Sequence, residues 1–177
     1  MSSAFDQKPD RIVTTLTLVR HSVRLMVDEL VARLHAAGYH DITAAHQAVF
    51  ENIDRNGSRL TTLATRSGMT HQSMGELVHA LEGAGYLERL PDPADGRARI
   101  IRLTTKGQAL VRQALHDIRE IETAWQDEFQ AAGHEIDLRS LIEPAIHALD
   151  RRPTIRHFPA PTALPLASKA ATSQPSG

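Results

Sequence analysis

The chain has 177 residues, of which 41% are hydrophobic and only 4% are aromatic. A core built mainly from Leu, Val, Ile and Ala suits helices packed on helices better than a β-sandwich. The absence of cysteine excludes disulfides, cysteine nucleophiles and thiolate zinc sites. The net charge of −1 argues against coating nucleic acid by bulk charge, although residues 55–106 carry eight Lys or Arg against five Asp or Glu.

Targeting and catalytic signals are both missing from the sequence. No apolar run approaches the roughly 20 residues that a membrane span requires, and the polar first ten residues lack the apolar core of a signal peptide. There is no nucleophile elbow, phosphate-binding loop, paired-carboxylate motif or His-Glu-x-x-His motif. We therefore expect a cytoplasmic protein without membrane contact, enzymatic activity or cofactor.

The first predicted element is a long helix over about residues 11–37, because apolar residues recur there at spacings of three and four. Gly38 is expected to end it, since glycine accepts the positive φ of a helix C-terminus. A second helix is predicted to begin after Thr43, which is a suitable N-cap. Turn-forming residues at 54–58 then predict a break before the next element.

Two short helical segments follow in the predicted order. The first covers residues 62–66, with Thr61 as its expected cap, and it ends at the Ser-Gly pair of residues 67–68. The second begins after Thr70, another expected cap, and runs to about Gly83. A short helix, a tight turn and a second helix make up the helix-turn-helix pattern.

The pattern then changes to that of a hairpin and a long helix. Residues 86–90 and 99–103 are prone to form strands, and the turn-forming residues 91–96 separate them. Thr104 or Thr105 is expected to cap the long helix that follows.

The end of the chain is predicted to be helical and then irregular. An interruption at Gly133 precedes a final helical stretch over residues 136–149. Pro144 lies inside this stretch and predicts a kink or a fresh helix start, because an interior proline costs about 3 kcal/mol. Residues 151–177 contain five of the nine prolines and are expected to form a flexible tail.

The second helix of the helix-turn-helix predicts DNA binding. Such a helix presents its N-terminal residues to the major groove, where short polar side chains bond base edges or phosphates. The candidates are Thr70, His71, Gln72, Ser73 and Glu76. The hairpin would form a basic wing, because its loop and second strand carry Arg97, Arg99 and Arg102.

Other polar side chains near these segments are expected to contact phosphate, which contributes affinity without sequence choice. They are Arg59, Thr61, Arg66 and Arg89. The ten histidines are scattered along the chain and form no tight ligand pair, so no metal site is predicted. A metal-responsive regulator with histidine ligands stays an alternative.

The strongest motif is Asp92-Pro93-Ala94-Asp95-Gly96-Arg97, followed by Leu103-Thr104-Thr105-Lys106-Gly107. These residues are similar to the Asp-x-Arg wing tip and the Leu-Thr-x-x-Gly sequence of the MarR family of bacterial winged helix-turn-helix transcriptional regulators. Residues 60–64, 70–78 and 85–89 also resemble that family. Glu76 departs from it, because many relatives carry a basic or neutral polar residue there.

The resemblance implies roles for particular residues. Asp95 would orient Arg97 through a charge-assisted hydrogen bond, and Arg97 would enter the minor groove. The first helix and the last two helices would interlock in a homodimer. A small aromatic or anionic effector would bind a cleft that the first two helices, the recognition unit and the partner chain enclose. Residues that could line this cleft are His21, Arg24, Met26, His46 and Phe50.

The sequence therefore predicts a mostly α fold with a small β-hairpin wing. The expected division is a flexible N-terminus (1–10), an N-terminal dimerisation helix (11–40), a winged helix-turn-helix (41–106), C-terminal dimerisation helices (107–150) and a flexible Pro/Ala-rich tail (151–177). The expected function is a homodimeric regulator of a pseudo-palindromic operator, in particular a repressor released by a small molecule. A constitutive or architectural DNA-binding protein without an effector is the second alternative.

Overall fold

The computed structural model describes residues 14–150, without the side chains of the last two residues. The predicted flexible N-terminus (1–10), the first three residues of the predicted first helix (11–13) and the predicted tail (151–177) lie outside the described residues. Within that range the elements are α1 (Thr15–Ala36), a 3₁₀ turn (Ala44–His46), α2 (Gln47–Phe50), α3 (Leu60–Ser67), α4 (His71–Gly83), β1 (Leu87–Asp92), β2 (Asp95–Leu103), α5 (Thr105–Ala131) and α6 (Leu138–Asp150). The predicted fold class is confirmed.

The segment after α1 is less helical than the sequence predicts. Gly38 has φ +96° and ends α1 as expected. The predicted second helix is only a 3₁₀ turn followed by the single turn of α2. Thr43 stands at the expected cap, and its backbone N–H donates to His46 Nδ1 at 3.2 Å. The side-chain amide of Asn52 donates to the Ala48 carbonyl at 2.8 Å, which satisfies a free acceptor at the end of α2.

The first helix of the helix-turn-helix begins earlier than predicted. Thr61 was expected to cap it, but α3 begins at Leu60, and Arg59 occupies the N-cap position with extended backbone angles. The reason lies in Ser58, which exchanges two backbone hydrogen bonds of 2.9 Å with Ile101 of β2. This bridge holds the chain extended up to the first residue of the helix.

The turn between α3 and α4 follows the prediction. Gly68 adopts the left-handed conformation with φ +67°, which side chains with a Cβ disfavour. The backbone N–H of Met69 then donates to the Ala64 carbonyl at 3.0 Å. Thr70 caps α4, since its hydroxyl oxygen accepts from the Ser73 backbone N–H at 3.1 Å.

The hairpin strands extend closer to the turn than predicted. β1 and β2 pair antiparallel with Leu87 opposite Leu103, and the register shifts at Pro91/Asp92. Only Pro93 and Ala94 separate the strands, so part of the predicted turn belongs to the sheet. Proline is tolerated there because the two-stranded sheet leaves each strand with a free edge.

The C-terminal helices differ from the prediction at one point. Thr104 caps α5, because its hydroxyl oxygen accepts from the Gly107 backbone N–H at 3.1 Å. The helix α6 runs without a break through Pro144, so a fresh start there is not found. Every side chain described from Arg139 to Ala148 is exposed, so the carbonyl that loses its partner to proline can bond water.

One apolar core joins the helix-turn-helix to the base of the wing and to the facing parts of α1 and α5. Its buried residues are Leu34, Ile42, Val49, Ile53, Leu63, Ala64, Met74, Val78, Leu81, Tyr86, Leu87, Ile101 and Leu110. The core fixes α4 relative to the hairpin. Within the described part of the chain, no helix is both long enough and apolar enough to cross a membrane.

Candidate nucleic-acid interface

The N-terminal end of α4 presents polar side chains to solvent. Thr70, His71, Gln72 and Glu76 are exposed, and Ser73 is half-buried beside the cap. The opposite face carries Met74, Val78 and Leu81, each with no exposed surface. This packing holds the helix in place while its polar residues stay free to meet a ligand.

The exposed polar face of α4 has an internal hydrogen bond and no permanent cation. The Gln72 side-chain amide donates to Glu76 Oε1 at 3.2 Å. The helix sequence contains no Lys or Arg. Positive charge next to this face must therefore come from other elements.

The wing supplies that charge. Arg97, Arg99 and Arg102 are exposed along β2. Neither a hydrogen bond from their guanidinium groups nor an ion pair is recorded among residues 14–148. Arg99 and Arg102 are three positions apart and lie on opposite faces of the strand. Exposed arginines of this kind are available to an anionic ligand such as a phosphate backbone.

The wing tip differs from the expected Asp-Arg pair. Asp95 Oδ1 accepts the backbone N–H of Arg97 at 3.1 Å, so the carboxylate shapes the turn. Asp95 Oδ2 lies 3.7 Å from Nη2 of Arg59. In this structure Asp95 orients the main chain at Arg97, while the guanidinium of Arg97 is left to solvent.

Three of the four residues expected to contact phosphate have intramolecular carboxylate partners. Arg59 binds Asp92, Arg66 binds Asp54 at 2.9 Å, and Arg89 binds Glu82 at 2.9 Å. Thr61, the fourth, is exposed in the first turn of α3. In the folded chain these three guanidinium groups therefore already bind carboxylates, which spacing alone did not reveal.

Two acidic partners of these arginines were missed as site residues. The Arg66 side chain and the Ser58 hydroxyl bond Asp54, and the Arg66 bond is the largest influence that lowers the pKa of this carboxyl. Asp92 is buried, and the Ala94 backbone N–H together with Arg59 lowers its pKa. The Asp92-Pro93-Ala94 sequence is the available signal, because aspartate often bonds the backbone two residues onward.

A small apolar cavity of about 80 Å³ lies between α1, the segment from Ile42 to Glu51, and α5. Of the residues predicted to line an effector cleft, Phe50 lines this cavity, whereas His21, Arg24, Met26 and His46 do not. The walls are Val27, Leu30, Val31, Leu34, Ile42, Thr43, Ala44, Gln47, Phe50, Glu51, Leu110, Val111, Ala114, Leu115 and Ile118. The spacing of three and four along α1 and α5 is the signal that indicates these positions.

His46 does not line this cavity, although Ala44 and Gln47 on either side of it do. It is 8% exposed, and its Nδ1 accepts from the Thr43 backbone N–H. Burial lowers the pKa of His46, because the charged imidazolium loses hydration. Among the residues that the structure describes, no group of three or more His, Asp or Glu side chains is placed to hold a metal ion.

Comparison with known proteins finds a family similarity in the segment that carries this geometry. Residues 40–98 match the model of the MarR family. The chain is therefore similar to that family over this segment. The matched segment covers the 3₁₀ turn, α2, the helix-turn-helix and most of the wing.

One curated relative is similar over part of its length. The chain is 26% identical over 95 residues to the HTH-type transcriptional regulator BilQ from Clostridioides difficile, which covers 54% of this chain and 61% of that protein. The chain thus matches less than two thirds of the length of this relative.

Solved structures share the fold. CouR from Rhodococcus jostii RHA1 bound to p-coumaroyl-CoA is similar with a TM-score of 0.59 and 19% identity, over 80% of this chain and 94% of that one. The transcriptional repressor CouR bound to a 23-mer DNA duplex gives a TM-score of 0.58 and 17% identity, over 78% of this chain and 93% of that one.

Proposed function

We propose that this chain is a transcriptional regulator of the MarR family that binds double-stranded DNA as a homodimer in the cytoplasm. The observation that carries the proposal is the exposed polar face of α4 in a chain whose wing carries exposed arginines on β2; α4 contacts β1, and β1 pairs with β2. The α4 face would meet base edges in the major groove, and Arg97 would reach the adjacent minor groove. A structure of similar fold, CouR, is bound to a 23-mer DNA duplex.

Dimerisation is supported by apolar surface at both ends of the described chain. The exposed large residues there are Leu16, Leu18, Val19, Val23, Leu25, Ile136, Leu141, Ile142 and Ile146. A second copy would cover such a surface and would hold two recognition helices about 34 Å apart, the spacing of successive major grooves on one side of DNA. A pseudo-palindromic operator follows from this two-fold symmetry.

The cavity supports a repressor that a small ligand releases. Its lining contains no Lys or Arg, and its one charged residue is Glu51. A neutral, apolar or aromatic ligand therefore suits it better than the anionic effector that was the other expectation. The cavity of about 80 Å³ is far smaller than a typical pocket of roughly 300 Å³ or more, so a ligand would have to separate α1 from α5. Such a change in shape is how binding alters the spacing of the recognition helices.

The test is DNA binding by fluorescence anisotropy, with a fragment from upstream of the protein's own gene and a series of salt concentrations. Arg97→Ala should lose on the order of 1–3 kcal/mol of binding free energy. Arg89→Ala is the matched control, because Glu82 already holds that guanidinium. A folded dimer that binds neither this fragment nor random DNA would overturn the proposal.

The same assay distinguishes the proposed regulator from the alternative, a constitutive architectural DNA-binding protein. Equal affinity for random and upstream DNA at physiological salt would favour that alternative, because phosphate contacts alone carry no sequence information. Phenol and benzoate then form a matched pair of ligands for the cavity. Release of DNA by the neutral ring and not by its carboxylate counterpart is the expected result.

A further inference from the structure

We propose that Asp92 and Arg59 form a clamp that positions the wing against the helix-turn-helix, and that Arg59 supports DNA binding through the wing rather than by contacting phosphate. This inference rests on the proposed DNA binding. Asp92 and Arg59 are 33 positions apart in the chain, one at the end of β1 and the other at the N-cap of α3. The clamp therefore connects two elements that the chain does not hold together locally.

The carboxylate of Asp92 binds a different segment with each oxygen. Its Oδ2 accepts from Nε of Arg59 at 2.7 Å and lies 2.5 Å from Nη2 of the same residue. Its Oδ1 accepts from the backbone N–H of Ala94 at 2.8 Å, inside the turn between the strands. Asp92 is only 7% exposed, so water competes little for these bonds.

The position of Asp92 explains why the wing tip needs a clamp. The base of the hairpin is fixed by the bridge between Ser58 and Ile101 and by the buried side chain of Leu87. Toward the tip, the register shifts at Pro91/Asp92, and regular pairing is weakened. Arg97 lies beyond that shift. Among the described residues, the contacts of Arg59 with Asp92 and, at 3.7 Å, with Asp95 connect this end of the hairpin to α3.

The surroundings of Arg59 disfavour a phosphate contact. Its guanidinium already binds Asp92 and has the Asp95 carboxylate 3.7 Å away. A phosphate at the same place would meet both negative charges. By contrast, no carboxylate is recorded as an ion-pair partner of Arg97 within the described chain.

The test is a set of double-mutant cycles on DNA affinity, with full-length protein and the upstream fragment of the previous section. We expect Asp92→Asn and Arg59→Gln each to weaken binding roughly tenfold, and the double variant to be no weaker than either, because coupled neighbours are not additive. In the Arg97→Ala background both effects should disappear. Arg59→Lys keeps the positive charge but not the forked geometry, and it should bind as weakly as Arg59→Gln.

A control and a measurement without DNA complete the design. Glu82→Gln, which breaks the ion pair with Arg89 elsewhere in the winged region, should change affinity less than about twofold because the pair is partly exposed. Amide exchange in the free protein should be faster at Ala94 and Arg97 in Asp92→Asn than in the wild type. Since this measurement needs no DNA, it tests the clamp even if the protein binds none.

Three results would overturn the clamp. The first is an additive loss when Arg59→Gln is combined with Arg97→Ala. The second is full rescue of affinity by Arg59→Lys, which would identify a phosphate contact. The third is unchanged amide exchange at the wing tip in Asp92→Asn.

Discussion

In the winged helix-turn-helix, Leu63, Met74 and Val78 have no exposed surface, whereas Leu16 of α1 and Leu141 of α6 are 76% and 56% exposed. The two regions have similar apolar periodicity in the sequence. In the first region the stripes of α3, α4 and the hairpin face one another within a single chain. In the second region apolar residues of α1 and α6 face solvent, and no other described residue covers them, whereas the winged region completes its core within one chain.

The largest effect is expected from substitutions in the exposed apolar surface of α1 and α6, through which two chains would associate. Val23→Glu and Ile142→Glu should each weaken dimerisation by at least about 100-fold, because a carboxylate buried in an apolar interface loses its hydration. Sedimentation velocity over a range of protein concentrations measures the change. Ala80→Glu, at an exposed position of α4, is the control and should leave the dimer intact. A wild-type monomer at every concentration would contradict the prediction.

The next effect concerns the close packing of the winged region. A Cβ at Gly107 would overlap the Tyr86 carbonyl oxygen, so Gly107→Ala should lower the free energy of unfolding by about 1–3 kcal/mol. Gly83→Ala is the matched control, since a Cβ there meets nothing and alanine favours the helix by roughly 0.5–1 kcal/mol. Urea unfolding measures both variants. Equal stability of the two would mean that the contact between α5 and Tyr86 is loose.

A smaller effect depends on pH. Burial lowers the pKa of His46 below its ordinary value of 6.5, so the unfolded chain takes up this proton at a higher pH than the folded chain. Stability from neutral His46 is therefore complete above about pH 6.5 and decreases as the pH falls below it. His46→Gln keeps a side-chain acceptor for the Thr43 backbone N–H and removes the titration. We expect its urea midpoint to fall less than that of the wild type between pH 7.5 and 5.

Two comparisons test whether His46 causes this pH dependence of stability. The lowered pKa values of Asp54 and Asp92 affect stability only near and below pH 4, outside the measured range. His79→Gln changes an exposed residue and should leave the pH dependence of the wild type unchanged. An identical loss on acidification in His46→Gln and the wild type would refute the assignment.

The smallest effect is expected from a substitution at a buried carboxylate of α5. Asp117 is buried; Gln113 donates to its Oδ1 at 3.0 Å, and its Oδ2 has no hydrogen-bond partner within the described residues. Asp117→Leu should change the free energy of unfolding by less than about 1 kcal/mol, or raise it, because replacing a poorly satisfied buried polar group is nearly neutral. Asp127→Leu, at an exposed position, is the control. A marked loss of stability or of the dimer in Asp117→Leu alone would indicate that a second copy binds this carboxylate.

Local signals in the sequence were sufficient for much of the fold. Thr70 and Thr104 cap their helices as predicted, and Gly38 and Gly68 adopt the positive φ expected of helix ends. These features depend on residues a few positions apart. The error at Thr61 has the opposite cause, since the start of α3 is fixed by the distant contact between Ser58 and Ile101.

The sequence by itself determined the order of the elements, the resemblance to the MarR family and the candidate DNA-binding segment, because each is encoded in local periodicity, capping residues and short motifs. Only the tertiary structure decided which arginines lack a carboxylate partner and are available to bind an anionic ligand. Arg59, Arg66 and Arg89 look like Arg97 and Arg99 in the sequence, but folding places a carboxylate beside each of the first three. The physical reason is that a charged side chain acts according to its nearest opposite charge, and folding can bring this neighbour from 33 positions away, as it does for Arg59 and Asp92.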